Sequence, residues 1–331
     1  MDLVRLTREL IDIESITGNE AAVGEYLFHH LSQLGYKTEK MAVEGPRFNV
    51  YAALDGKPDL VFSTHMDTVP PFISSSEDEN NIYGRGSCDA KGIIAAQIAA
   101  AERLRATHSS VALLFLVGEE RDSQGAKVAN LRPPGSRFMI NGEPTESKIG
   151  RASKGTLRVQ LTANGRMAHS AYPHLGESAI EKLVKALHRL MKMSLPNNPE
   201  IGQTTMNVGQ IEGGRAPNVI PDFARAQLLY RLVGPTRELR QEIERAVEGL
   251  AIAEFALEIP FIRLRTVQGV PEMIAAFTTD IPALSNWGEP VLLGPGSIHV
   301  AHTDGEFISK RELCDSVELY VRVAEQLLGG K

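Results

Sequence analysis

Cysteine is scarce: Cys88 and Cys314 are the two in 331 residues, too few for a disulfide framework and poorly suited to a thiolate metal site. Positive charge is in deficit. Lys and Arg number 35 against 41 Asp and Glu, for a formal net charge of −6, so no basic surplus exists to neutralise phosphates and nucleic acid is not an expected partner. The same balance suits carboxylates gathered around cations. No run of about 18 apolar residues occurs, so no membrane partner is expected either. The opening stretch MDLVRLTRELIDIES carries charges throughout and no continuous apolar core. It reads as an amphipathic helix rather than a signal peptide, and the cytoplasm is the expected location.

What is present is the material of an ordinary globular protein. The length of 331 residues exceeds the roughly 250–300 that one hydrophobic core supports, so two domains are expected. Leu3, Leu6, Leu10 and Ile11 recur at helical spacing, and a second helix is expected from Asn19 as N-cap to Gly35 as C-cap. Apolar runs at 48–54, 60–63, 111–117 and 138–140 read as strands, with an Ala/Ile-rich helix at 90–104 among them. Strands separated by helices point to an α/β fold, a largely parallel sheet with helices on both faces. From Gly155 the rhythm changes. Strands at 157–163, 204–211 and 224–233 and helices at 177–191 and 237–250 follow a ferredoxin-like β-α-β-β-α-β order. After about Thr266 the chain returns to the first domain and closes on an amphipathic helix at 310–328. The expected division is 1–153 with 265–331, and 154–264 as the second domain.

Metal-type ligands stand where the predicted strands end. In Ser63-Thr64-His65-Met66-Asp67, residues two apart on an extended segment point the same way, so His65 and Asp67 share a face. A carboxylate beside an imidazole fixes its tautomer and strengthens it as a ligand; a solvated His near an Asp reads equally simply. Asp89, in Gly84-Arg85-Gly86-Ser87-Cys88-Asp89-Ala90-Lys91-Gly92, is presented where a helix begins, as a ligand or as an N-cap. The segment is not a phosphate loop, because Gly rather than Ser or Thr follows the Lys. Glu119 and Glu120 follow the strand at 111–117; side by side they repel unless a cation or water relieves them. Glu143 ends another strand, and His299 and His302 lie in GPGSIHVAHTDGE. All of these ends could belong to one sheet, and in open α/β folds that rim is where sites form.

The ordered set STHMDTVP, GRGSCDAKG, VGEERDSQGA, INGEPT and GPGSIHVAHTDGE resembles the M20 family of metallopeptidases and N-acyl-amino-acid deacylases, across nearly the whole chain. The resemblance implies a zinc-peptidase-like catalytic domain with a mixed sheet, carrying an inserted ferredoxin-like α+β dimerisation (lid) domain. It implies that His65, Asp89 and Glu143 hold one divalent ion, that Asp89, Glu120 and His302 hold a second, and that Asp89 bridges them. Asp67 would orient His65, and Glu119 would be the general base. Oxygen and imidazole donors without thiolate suit Zn²⁺, with Co²⁺ or Mn²⁺ as substitutes. In the middle domain, GRMAHSAYPH matches a segment whose histidine, here His169, reaches the partner subunit's site in a homodimer and stabilises an oxyanion. Asn218 and Arg231 resemble positions that bind the substrate carboxylate, although a turn residue and a solvated strand residue are the plain alternatives. His29, His30, His108, His174, His188 and His299 match no ligand position.

One departure stands out. The stretch 266–290 is shorter than the family's, with Phe277-Thr278-Thr279-Asp280 where a Ser/Thr-Asp element is usual. The substrate expected is an N-acyl amino acid or short peptide. Among such enzymes an N-acetylornithine deacetylase of amino-acid biosynthesis is placed first, because the chain is compact. A metallo-dipeptidase, an aminopeptidase, and a succinyl-diaminopimelate or carrier-linked lysine deacylase are the alternatives. A non-catalytic metal-binding homologue is the remote one, since it would have no need of an unliganded Glu119.

Overall fold

Two central strands are buried at every position, Leu60–His65 and Val111–Leu116 alike. In a strand that requires cover on both faces. The computed structural model describes residues 1–107 and 110–329, which form two compact units; His108 lies outside the described residues. The first unit comprises Met1–Arg151, Leu264–Met273 and the chain from Thr279 on, and the second Ala152–Arg263 with Ile274–Thr278.

In the first unit the helices α1 (Leu3–Ile11) and α2 (Ala21–Gln33) precede the strands β1 (Lys37–Glu44), β2 (Arg47–Ala53) and β3 (Leu60–His65). Then come α3 (Lys91–Leu104), β4 (Val111–Leu116), α4 (Gln124–Ala129) and β5 (Phe138–Asn141). The sheet runs β1-β2-β4-β3-β5 and continues to the strand Glu289–Leu292. β3 is parallel to both β4 and β5, and Glu289–Leu292 is parallel to β5. The β1–β2 hairpin is antiparallel and makes the sheet mixed. α3 packs on β3 and β4 beside α1 and the C-terminal helix Lys310–Gly329, while α2 and α4 pack on β1 and β2. The small residues Ala95, Ala96, Ala100 and Ala101, all buried, let α3 sit close to its neighbours. No helix among the described residues is long and apolar enough to cross a membrane.

Three local details depart from expectation. β1 carries no visible strand signal because it is an edge: Met41 alone is buried, and Lys37, Glu39, Lys40 and Glu44 are among the exposed positions. Asn19 does not cap α2. Glu20 takes the cap position and uses its carboxylate elsewhere, accepting from Gly18 N and, at 2.7 Å each, from Nε and Nη2 of the buried Arg47. The polar stretch 74–83, for which the sequence predicts no strand, contributes Ser76–Glu77 and Asn81–Tyr83 to a small sheet with Phe307–Ser309.

The second unit carries β6 (Gly155–Asn164), α5 (Ala179–Met191), β7 (Thr205–Gly213), β8 (Phe223–Leu232), α6 (Arg237–Val247) and β9 (Ile252–Ile259). Its antiparallel sheet runs β7-β8-β6-β9, the ferredoxin-like order. Alternation is clean on β8, where Ala224, Ala226, Leu228, Tyr230 and Leu232 face inward. They share a core with Leu183, Leu187 and Leu190 of α5 and with Leu239, Ile243 and Val247 of α6. Ser178 caps α5 by accepting from Glu181 N.

Candidate metal centre

Parallel strands bring their C-terminal ends to one edge of a sheet, and four segments of the first unit deliver ligands there. β3 ends on His65. β4 ends two residues before Gly118, which is followed by Glu119 and Glu120. β5 ends two residues before Glu143, and the strand Glu289–Leu292 runs into the loop that carries His302. A fifth ligand, Asp89, stands two residues before α3. Gly142 is forced by space, since a Cβ there would lie 2.3 Å from Ile93 Cγ2 and 2.6 Å from Gln97 Nε2. Only glycine lets β5 turn into Glu143 against α3.

Asp89 lies at the middle of the group. Its Oδ1 is 2.9 Å from His65 Nε2, and its Oδ2 is 3.3 Å from His302 Nε2. His302 Nε2 is also 2.9 Å from Glu120 Oε1. His65, Asp89 and Glu120 each offer one ligand atom, all within 4.8 Å of one another. Asp89 is therefore no helix cap; Ala90 holds the cap position of α3. His302 adopts φ 63°, a left-handed conformation uncommon for a non-glycine residue, which the loop around it must enforce.

His65 Nδ1 lies 3.0 Å from the backbone carbonyl of Asp67. A carbonyl only accepts, so Nδ1 carries a proton; in the metal-free protein Nε2 donates to Asp89 Oδ1 at 2.9 Å, and its lone pair becomes available to an ion once that proton is lost. The Asp67 carboxylate is farther away, 3.5 Å from Nδ1, and is engaged by other donors. It accepts from Glu119 N at 3.1 Å, Glu120 N at 3.2 Å and Thr17 Oγ1 at 2.8 Å. The orienting contact to His65 is thus mainly the backbone of Asp67, and its side chain fixes the loop that holds the two glutamates. Nothing in the sequence flags Thr17, fifty residues away.

The electrostatics are those of an acidic cluster short of positive charge. Burial, reinforced by Glu143, pushes the Glu119 carboxyl well above the usual range. Burial does the same to Glu143, although His65 opposes it. Glu120 is raised by burial too, against its hydrogen bond with His302. Asp280 is buried and pushed up to about 7 by that burial, with Ser123 opposing. Asp89 goes the other way: burial would raise it, but hydrogen bonds with His302 and His65 hold it below the ordinary range. Burial would lower His65, yet Asp67 and Asp89 pull it well up. Hydrogen bonds with Asp89 and Glu120 raise His302 to about 10.

This arrangement fits divalent cations. Glu143 Oε1 is buried with no hydrogen-bond partner, and burying such an oxygen is costly unless something coordinates it. The donors are oxygen and imidazole, the set that suits Zn²⁺, Co²⁺ or Mn²⁺. Glu119 and Glu120 remain partly accessible.

In the second unit, His169 stands on a two-residue strand, Ala168–His169, paired with Val219–Ile220. Ser170 N donates to the Asn218 carbonyl, so His169 and Asn218 are neighbours there. His169 Nδ1 accepts from Ala171 N, and its ring is exposed. Arg231, near the end of β8, donates to Thr156 Oγ1 of β6 at 2.9 Å.

The model of a peptidase dimerisation domain, M20 dimer, matches residues 151–254. A peptidase M20 domain-containing protein of Schizosaccharomyces pombe is 36% identical over 335 residues, covering 97% of this chain and 84% of that protein. A protein of Aspergillus fumigatus named as a probable carboxypeptidase is 35% identical over 389 residues, covering 98% of this chain and 87% of its own. Among solved structures, the M20 family metallo-carboxypeptidase Sso-CP2 of Sulfolobus solfataricus superposes with a TM-score of 0.79 at 17% identity, covering 99% of each chain. At that identity the likeness is one of fold.

Proposed function

We propose, from the premise that this chain belongs to the M20 peptidase family, that it is a two-metal hydrolase of the amide bond in short peptides or N-acyl amino acids. The observation that carries this reading is Asp89, whose two oxygens face His65 and His302 separately. His65, Asp89 and Glu143 would hold one ion, and Asp89, Glu120 and His302 the other, with Zn²⁺ the best match to the donors and Co²⁺ a substitute. When bound, such a pair would supply Lewis acidity to the scissile carbonyl and acidify the attacking water.

The protein's own groups move the protons. Glu119, tied through its amide to Asp67, presents a carboxyl raised above its ordinary range by burial and by Glu143, the direction that makes it a stronger base. It takes the proton of water as the water oxygen bonds to the carbonyl carbon and the π pair moves to the carbonyl oxygen. The pair then returns, the C–N bond breaks, and Glu119 gives its proton to the leaving nitrogen. The products are a carboxylic acid and an amine, with no bond to the protein at any stage. His169 is assigned to the partner subunit's oxyanion, and Asn218 and Arg231 to a substrate carboxylate. The family resemblance supports these three roles, and the matched dimerisation domain supports a homodimer.

The relative named as a probable carboxypeptidase supports short-peptide substrates at least as well as N-acetylornithine. The test is hydrolysis of a panel holding α- and γ-linked dipeptides, N-acetylornithine, N-succinyl-diaminopimelate and N-acetylmethionine. One chelator-sensitive substrate far ahead of the rest is the expected result. Turnover that survives complete metal removal would overturn the reading.

A further inference from the structure

Asp89 reaches its position from a loop that is wound around a second carboxylate. Glu306, 1% exposed, accepts at one oxygen, Oε1, from three backbone amides: Gly86 N at 2.9 Å, Asp89 N at 3.2 Å and Cys88 N at 3.3 Å. Its Oε2 is paired with Arg85 Nη1 at 2.7 Å, and Arg85 is 2% exposed. Arg85 in turn donates to the carbonyls of Thr303 and Pro71. The Glu306 carbonyl accepts from Gly84 N, and Phe307–Ser309 pairs with Asn81–Tyr83 at the other end of the loop. Successive amides converging on one anion form a nest, here filled from within the protein. Gly86 suits this turn, with φ +88° and a Cβ position only 3.0 Å from Lys91 Cδ and Thr68 Cγ2. Asp89 is shared between the two ends of this arrangement: its amide donates to Glu306, and its carboxylate faces the two histidines.

We propose that Glu306 is a positioning residue for the metal centre, its Oε1 holding the Gly86, Cys88 and Asp89 amides so that Asp89 presents one oxygen to each histidine. The inference rests on the two-metal reading above and adds a residue four positions beyond His302 that coordinates nothing itself. Groups that orient a ligand in this way typically change metal affinity by about 10–100-fold when removed. Removing Glu306 alone would also strand the buried Arg85 charge, which is destabilising for reasons unrelated to Asp89. The test therefore removes the charge pair in both arms and varies only the acceptor.

Two double variants are compared as metal-free proteins titrated with Co²⁺, with thermal unfolding of each followed in parallel. Arg85→Met with Glu306→Gln keeps an amide oxygen for the three N–H groups. Arg85→Met with Glu306→Met fills the same space and offers none. The expected result is Co²⁺ binding about tenfold or more weaker in the second than in the first, with a changed visible absorption spectrum of the bound ion. Equal affinities and spectra would overturn the proposal. If the methionine variant does not fold, Glu306→Asp carries the test. It keeps the charge but withdraws the oxygen by one methylene, and about tenfold weaker Co²⁺ binding is expected, with wild-type affinity again overturning the proposal. Failure of the wild-type chain itself to bind Co²⁺ would sink the two-metal reading, and this inference with it.

Discussion

Asp67 and Glu119 are joined through the backbone: the Glu119 amide donates to Asp67 Oδ1 at 3.1 Å, while the next amide, Glu120, donates to Oδ2 at 3.2 Å. A single buried carboxylate thus sets where the proposed base and a proposed ligand begin. His65 is held by the same residue, through its carbonyl. Histidine, base and ligand are therefore mechanically linked, and a change at Asp67 should be felt at all three.

Asp67→Ala should leave two amides and the Thr17 hydroxyl without their acceptor. The expected cost is about 1–3 kcal/mol of stability for each of these hydrogen bonds to a charged group that is lost, together with a fall in kcat. Denaturant unfolding and steady-state kinetics check it. A variant with wild-type kcat would show that the link does not matter for turnover.

Glu119→Gln keeps the shape of the side chain and removes its ability to carry a proton. Metal content should be unchanged and kcat should fall by about 10²–10⁴-fold. Elemental analysis beside a turnover assay separates the two effects. Loss of metal in this variant would make Glu119 a ligand instead.

Metal affinity should rise with pH. In the metal-free protein His302 is raised to about 10 by its hydrogen bonds with Asp89 and Glu120, so at neutral pH its ring carries a proton. Only the neutral ring coordinates, so binding must expel that proton, and His65, also raised, adds to the effect. Below about pH 10, apparent affinity should therefore increase by about tenfold per pH unit for each proton displaced, and approach a plateau above it. Co²⁺ titrations between about pH 6 and about pH 8 would show this slope, and a flat profile would contradict it.

Much of the centre could be read from the chain because its proposed ligands follow strands announced by short apolar runs, as in 60–62 and 111–117. The ferredoxin-like unit was legible for the related reason that β8 alternates cleanly. What stayed hidden depends on distant pairing. β1 is an exposed edge without a hydrophobic period, and Glu20 gives up its capping role for Arg47, 27 residues away. The nest around Glu306 joins residues 217 to 220 positions apart. Glu306 stands in the same motif as His302, yet only the fold shows which amides it gathers.

His169 is tested by mixing subunits. A heterodimer of one His169→Ala and one Glu119→Gln chain should regain one intact site if His169 serves the partner, while each homodimer stays nearly inactive. No recovery in verified heterodimers would assign His169 to its own chain or to no catalytic role.

The central claim is that Asp89 organises a two-ion centre on which amide hydrolysis depends. Metal-free protein titrated with Zn²⁺ or Co²⁺, with bound ion and dipeptide hydrolysis measured on the same samples, tests it most directly. The account predicts two ions per wild-type chain, activity that rises with occupancy, and loss of both in Asp89→Asn. Hydrolysis independent of occupancy, or two ions held equally well by Asp89→Asn, would contradict it.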